Sequence, residues 1–236
     1  MDTVVNGLVF DLDNTLLDRQ TTFMRVAGNF YEEHLCATTS VTRDDAIRKI
    51  VQWDADGYAN REKMFARWLG EWPEAGLDMG TLTKWYRSAM ERQVQPSMEV
   101  NGFLAYLNDR QVPWGIVTNG SRNQHRKCRA AGLDQLAPFI IVSEEVGYAK
   151  PDPRIFSDAL KATGLTGPEQ IMFVGDNPIA DIDGAKGFGM KVGWIRRGRQ
   201  YPVDLQPPDH VFDFVTEVRH IVDMTPQSPC VGNERR

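Results

Sequence analysis

The chain has 236 residues, 42% hydrophobic and 25% charged, with 27 Lys and Arg against 32 Asp and Glu and a formal charge of −5. That length suits one full core plus a smaller module, and the mix excludes a wholly disordered or fibrous chain. A mildly acidic chain carries no basic footprint for nucleic acid or an anionic membrane, and no apolar run approaches the roughly 18 residues of a membrane-spanning helix. Met1-Asp2-Thr3 leads directly into a strand-like run, so no signal peptide is expected. Cys36, Cys128 and Cys230 are odd in number and form no CxxC pair, a cytosolic pattern that offers neither a disulfide framework nor a zinc site. A cytoplasmic protein is therefore expected.

Val4 to Phe10 is an apolar run that ends abruptly in Asp11-Leu12-Asp13-Asn14-Thr15, as expected of a buried parallel strand that delivers polar groups at its C-terminal edge. Helical spacing follows in four successive stretches: Phe23/Val26/Ala27/Phe30, Ala46/Ile47/Ile50/Val51, Met64/Phe65/Trp68/Leu69/Trp72 and Leu82/Trp85/Tyr86/Ala89/Met90. These predict a four-helix bundle whose aromatic residues form its own core. Arg19 and Arg25, early in the bundle, are expected on the solvated surface.

From about Gln95-Pro96 the pattern changes. A helix through Val100 to Leu107 leads into a strand at Pro113–Val117, then strand and helix signals alternate. Strands are expected at Phe139–Val142, Ile171–Val174 and Lys191–Ile195. Helices are expected through Ile155–Leu160, Ile179–Phe188 and Phe214–Val222, with Ser121 capping a helix after Asn119. Such alternation predicts a doubly wound parallel sheet, an α/β core with helices on both faces. The expected organisation is a core of residues 1–17 and 96–224, a helical insertion at 18–95, and a disordered tail from 225 to 236.

In a parallel sheet the C-terminal strand ends share one edge. They carry Asp11 and Asp13, then Thr118-Asn119-Gly120, Lys150 in the loop beyond Val142, and Gly175-Asp176-Asn177 with Asp181 one turn on. Asn177-Pro178 and Asp152-Pro153 both read as an N-cap followed by a first helical residue. Four carboxylates against one lysine leave an excess of negative charge that is costly in a cleft. A hard divalent cation with oxygen ligands, Mg²⁺, answers that excess and brings a phosphoryl substrate with it. Lys150, the Thr118 hydroxyl and the Asn119 and Gly120 amides would hold the phosphoryl oxygens, and Asp11 is placed to attack phosphorus.

The run Phe10-Asp11-Leu12-Asp13-Asn14-Thr15-Leu16, with Val117-Thr118-Asn119-Gly120, Lys150-Pro151-Asp152-Pro153 and Gly175-Asp176-Asn177-Pro178-Ile179-Ala180-Asp181, resembles the haloacid dehalogenase superfamily. The inserted helices resemble its helical-cap subclass. The resemblance implies Asp11 as nucleophile and metal ligand. It implies Asp13 as acid and base, its backbone carbonyl also on Mg²⁺, and Asp176 as the further ligand. Thr118 and Lys150 would hold phosphoryl oxygens, and Asp181 would be a supporting carboxylate.

The expected activity is Mg²⁺-dependent hydrolysis of a small-metabolite phosphomonoester, such as a nucleotide or sugar phosphate, through an aspartyl-phosphate. A phosphomutase and a hydrolytic 2-haloacid dehalogenase of the same superfamily are the alternatives. Asp13 and Asp176 count against the dehalogenase. A receiver-like phospho-switch is disfavoured, because Asp13 supplies the base that would hydrolyse the phosphorylated state. The glycines form no GxGxxG after a strand and no GxxxxGK[ST] occurs, which removes dinucleotide and P-loop readings. The expected partner is a small phosphorylated molecule, with no nucleic acid and no membrane, and the expected state is a monomer or weak homodimer.

Overall fold

The computed structural model describes residues 4–224, so the expected tail and Cys230 lie outside the described residues. Six parallel strands form one sheet: β1 Gly7–Phe10, β2 Trp114–Thr118, β3 Ile140–Val142, β4 Ile171–Gly175, β5 Lys191–Ile195 and β6 His210–Phe212. Their order is β3-β2-β1-β4-β5-β6, the doubly wound order with its reversal between β1 and β4. A doubly wound parallel core is therefore what the chain builds. β6 escapes the sequence pattern because its three residues are too few for a periodic signal and two of them are exposed. Every residue of β1, β2 and β4 is buried, which explains their unbroken apolar runs.

Alternation within the strands feeds both faces. Val9, Val117, Phe173 and Val192 pack with Ile155, Phe156 and Ala159 of the Pro153–Thr163 helix. Phe10, one residue along, meets Phe103 edge-on at 6.1 Å and Trp114 at 6.0 Å. The register sets the site: Phe10 pairs with Val174, and the Asp11 amide donates to the Val174 carbonyl at 2.9 Å. Asp11 and Gly175-Asp176 thus leave the sheet at one level.

The described chain divides into two compact units. One holds residues 4–16, Met98–Asn119 and 136–224, and the other Leu17–Ser97 with Gly120–Gln135. The second is helical, built from α1 Arg19–Phe30, α2 Arg43–Asp54, α3 Arg61–Glu71 and α4 Met79–Gln93, to which Gly120–Gln135 adds a further helix, Asn123–Ala130. Side chains of Asp18, Thr42, Asn60 and Asp78 cap the four long helices by accepting from the third residue on. Each such cap contributes about 1 kcal/mol.

The aromatic residues of this unit do form its core. Phe30 lies 4.8 Å from Trp68 and 5.3 Å from Trp85, and Phe65 is 5.1 Å from Tyr86. Arg25 is exposed, but Arg19 corrects the surface expectation. Its guanidinium is buried and grips Asp54 bidentately, with both contacts at 2.7 Å. Arg61 adds a third contact to Asp54 at 3.1 Å. The spacing of 35 residues between Arg19 and Asp54 leaves no periodic trace in the sequence.

Candidate active site

The site is assembled from strand ends of the first unit. Lys150 is buried and reaches back to the sheet, its Nζ donating to Asp11 Oδ1 at 2.7 Å and to the Val117 carbonyl at 2.8 Å. The same Nζ lies 2.7 Å from Asp181 Oδ1, an ion pair that lacks the alignment of a hydrogen bond. It also stands 5.1 Å from the centre of the Phe173 ring. Asn119 fixes where this lysine starts. Its side-chain carbonyl accepts from the Lys150 amide at 2.8 Å, and its Nδ2 donates to the Lys150 carbonyl at 2.9 Å. The Asn119 side chain is thus a clamp on the lysine backbone, which leaves its own backbone amide out of that contact.

Asn177 accepts from the Ile179 and Ala180 amides at 2.9 and 2.8 Å, and Pro178 begins the turn as expected. The helix expected over Ile179–Phe188 is divided into a π-helical turn, Pro178–Asp183, and a short α-helix, Gly184–Phe188. Such wide turns concentrate at functional sites. This one turns Asp181 inward, where Asp181 Oδ2 accepts from the Asn177 amide at 2.9 Å. Gly175 is required for that approach, since a Cβ there would stand 2.4 Å from Asp181 Oδ2.

Asp11, Asp176 and Asp181 each offer one carboxylate oxygen, all within 4.8 Å of one another and all on buried residues. Asp13 is only half-buried, and its side chain is not one of these three. Asp176 is further held by residues that the motif reading passed over. Arg199 donates to the Asp176 carbonyl at 2.8 Å and to Oδ2 at 3.0 Å, and Trp194 Nε1 donates to the same carbonyl at 2.9 Å. The cluster Arg196-Arg197-Gly198-Arg199 after β5 was the available signal. Thr118 is buried at the end of β2. Gly120 carries a φ of +150°, which favours glycine there. Ser121 does not cap as expected: Arg122 holds the N-cap position, and the Ser121 hydroxyl accepts from the Asn123 amide at 3.4 Å.

Burial pushes the Asp11 carboxyl up to about 8; the Lys150 charge pulls the other way, while Asp181 and Asp176 add to the rise. Burial also pushes Asp176 up to about 6, reinforced by Asp181 and opposed by Arg199. For Lys150 burial disfavours the charge, yet Asp11 and Asp181 hold the ammonium above its ordinary range. Three clustered carboxylates thus face two cations, Lys150 and Arg199, and their mutual repulsion adds to the rise that burial imposes on Asp11 and Asp176. This hard-oxygen donor set, short of positive charge, fits a divalent metal ion.

The sequence model of the haloacid dehalogenase-like hydrolases matches residues 8–195. The glyceraldehyde 3-phosphate phosphatase of Methanopyrus kandleri is 26% identical over 228 residues, which cover 94% of this chain and 97% of that protein. The (S)-2-haloacid dehalogenase 2 of a Pseudomonas species is 30% identical over 132 residues, 55% of this chain and 57% of that one. A solved structure, the putative HAD-hydrolase YfnB of Bacillus subtilis bound to magnesium, matches with a TM-score of 0.74 at 23% identity. It covers 94% of this chain and 100% of that chain, a likeness of fold. No helix among the described residues is long and apolar enough to cross a membrane.

Proposed function

This chain belongs to the haloacid dehalogenase-like hydrolases, and we propose that within them it is a Mg²⁺-dependent phosphatase of small phosphomonoesters. The observation that carries the reading is the buried group of Asp11, Asp176 and Asp181 around Lys150 at the ends of parallel strands. The near full-length similarity to a glyceraldehyde 3-phosphate phosphatase supports the same chemistry.

Asp11 is the nucleophile. One of its oxygens attacks phosphorus, the bond from phosphorus to the leaving oxygen breaks, and Asp13 gives that oxygen a proton. Asp13 then takes a proton from water, which attacks the aspartyl-phosphate, freeing inorganic phosphate and restoring Asp11. Lys150 and Thr118 neutralise and orient the phosphoryl oxygens, together with the Asn119 and Gly120 amides. Asp11, Asp176 and the Asp13 backbone carbonyl would hold the metal ion, which supplies charge neutralisation at the phosphoryl oxygens. Asp181 positions Lys150. The substrate is a small phosphorylated molecule, with no role for nucleic acid or membrane, and the protein acts in the cytoplasm as a monomer or weak homodimer.

A dehalogenase reading has less support, because a halide leaving group needs no proton from Asp13 and gives the acidic cluster no task. The test is phosphate release from a panel of phosphomonoesters with Mg²⁺ and with EDTA. Release that requires the metal supports the phosphatase. No release from any ester, together with halide release from 2-haloacids, would overturn it.

A further inference from the structure

The helical unit contains a cavity of about 280 Å³ that the catalytic reading does not use. Its walls come from α3, α4 and the Asn123–Ala130 helix. Four cationic side chains line it, Arg61, Arg87, Arg126 and Lys127, against one carboxylate, Glu91. In a chain with a net charge of −5 this is a local reversal of sign.

The positive charge is only partly answered. Asp54, the partner of Arg61 at 3.1 Å, is already gripped at 2.7 Å by both nitrogens of Arg19, so two cations share one carboxylate. Arg126 meets Glu91 at a loose 3.5 Å with both side chains well exposed, a pair of small energetic value. Arg87 is exposed and forms no ion pair among the described residues.

The remaining wall joins polar residues of α4 and of the segment from Ser121 to an apolar patch. Phe65, Tyr86 and Met90 are buried core residues that also line the cavity. Phe65 and Tyr86 are locked edge to face at 5.1 Å, and the Arg61 guanidinium lies over the Tyr86 ring at 4.8 Å. Gln124, itself 4% exposed, brings a buried amide to the same wall. A mostly apolar concavity with a few convergent polar groups is the form of a small-molecule site, and this volume suits a molecule of about one ring or a short carbon chain.

We propose that this cavity binds a small organic anion, its carboxylate or phosphate among Arg87, Arg126 and Arg61 and its apolar body against Phe65, Tyr86 and Met90. That chemistry has two sources, the anionic leaving portion of a substrate or a separate metabolite that modulates turnover. The binding site rests on the cavity alone and does not depend on the phosphatase reading.

The test is calorimetric titration of the full-length protein with phenylacetate, with uncharged phenylacetamide and with acetate. Phenylacetate binds at least tenfold more tightly than either, and its affinity falls as salt is added. The doubly substituted Arg87→Glu/Arg126→Glu protein loses at least tenfold in phenylacetate affinity, and the milder Arg87→Gln/Arg126→Gln protein loses part of it. Competition by phenylacetate that raises KM at constant kcat identifies the substrate's own anion, and a change in kcat at saturating substrate identifies a modulator. Phenylacetate binding no tighter than phenylacetamide or acetate, or unchanged in the arginine variants, overturns the proposal.

Discussion

Lys150 Nζ donates to Asp11 Oδ1 at 2.7 Å across 139 residues of sequence. Asp11 shares that cation, because the same ammonium lies 2.7 Å from Asp181 Oδ1. The arrangement ties the Asp11 carboxylate to a residue carried by the loop that follows β3 and a short helix, Ser143–Val146.

Lys150→Met therefore leaves a buried carboxylate cluster without its ammonium. Removing one member of a buried ion pair costs about 3–5 kcal/mol. The expected outcome is a clear fall in Tm without divalent metal, and a loss of phosphate release of at least about 100-fold, from the scale of a lost preorganised charge. Thermal unfolding and steady-state kinetics check it, and an unchanged Tm would deny the charge coupling.

The raised carboxyls give a pH dependence of definite sign. Burial lifts the Asp176 carboxyl to about 6 and the Asp11 carboxyl to about 8 in the folded protein, both above the ordinary 3.8. Between about 4 and 8 the folded state then holds more protons than the unfolded state, so stability falls as pH rises through that window. Acids held low by their partners, such as Asp152 near 2, act below it. In EDTA, wild type loses Tm from pH 5 to pH 8, while Asp176→Asn loses less because one raised acid is gone. Parallel curves for the two proteins would refute the assignment.

Arg19 and Asp54 carry a prediction for the helical unit. With side chains 6% and 3% exposed, neither charge has water to fall back on. Asp54→Ala strands Arg19 and should cost about 3–5 kcal/mol. The doubly substituted Arg19→Met/Asp54→Leu protein should recover most of that loss. Denaturant unfolding of the single and double variants measures it, and a single variant within 0.5 kcal/mol of wild type, about the scatter of a surface change, would show the pair to be idle.

The core was legible in the sequence where burial is one-dimensional. β1, β2 and β4 are buried on both faces, so their apolar runs announce them, and the acids that follow announce the edge. Asn177-Pro178 and Asp152-Pro153 were readable because capping is local. What failed to show was non-local or short. Arg199 reaches Asp176 over 23 residues, Arg19 reaches Asp54 over 35, and β6 has three residues. The π-helical turn at Pro178–Asp183 was read as ordinary helix, since apolar spacing over six residues cannot tell the two apart.

Phosphorylation of Asp11, with Asp13 driving the second step, is checked by trapping the intermediate. Asp13→Asn is mixed with a turned-over phosphomonoester and Mg²⁺, quenched in acid within seconds, and mapped by peptide mass spectrometry. The expected result is a phosphoryl adduct on Asp11 that accumulates in Asp13→Asn and is absent from Asp11→Asn. Phosphate release by Asp11→Asn at a rate near wild type, or an adduct on any other residue, would contradict it.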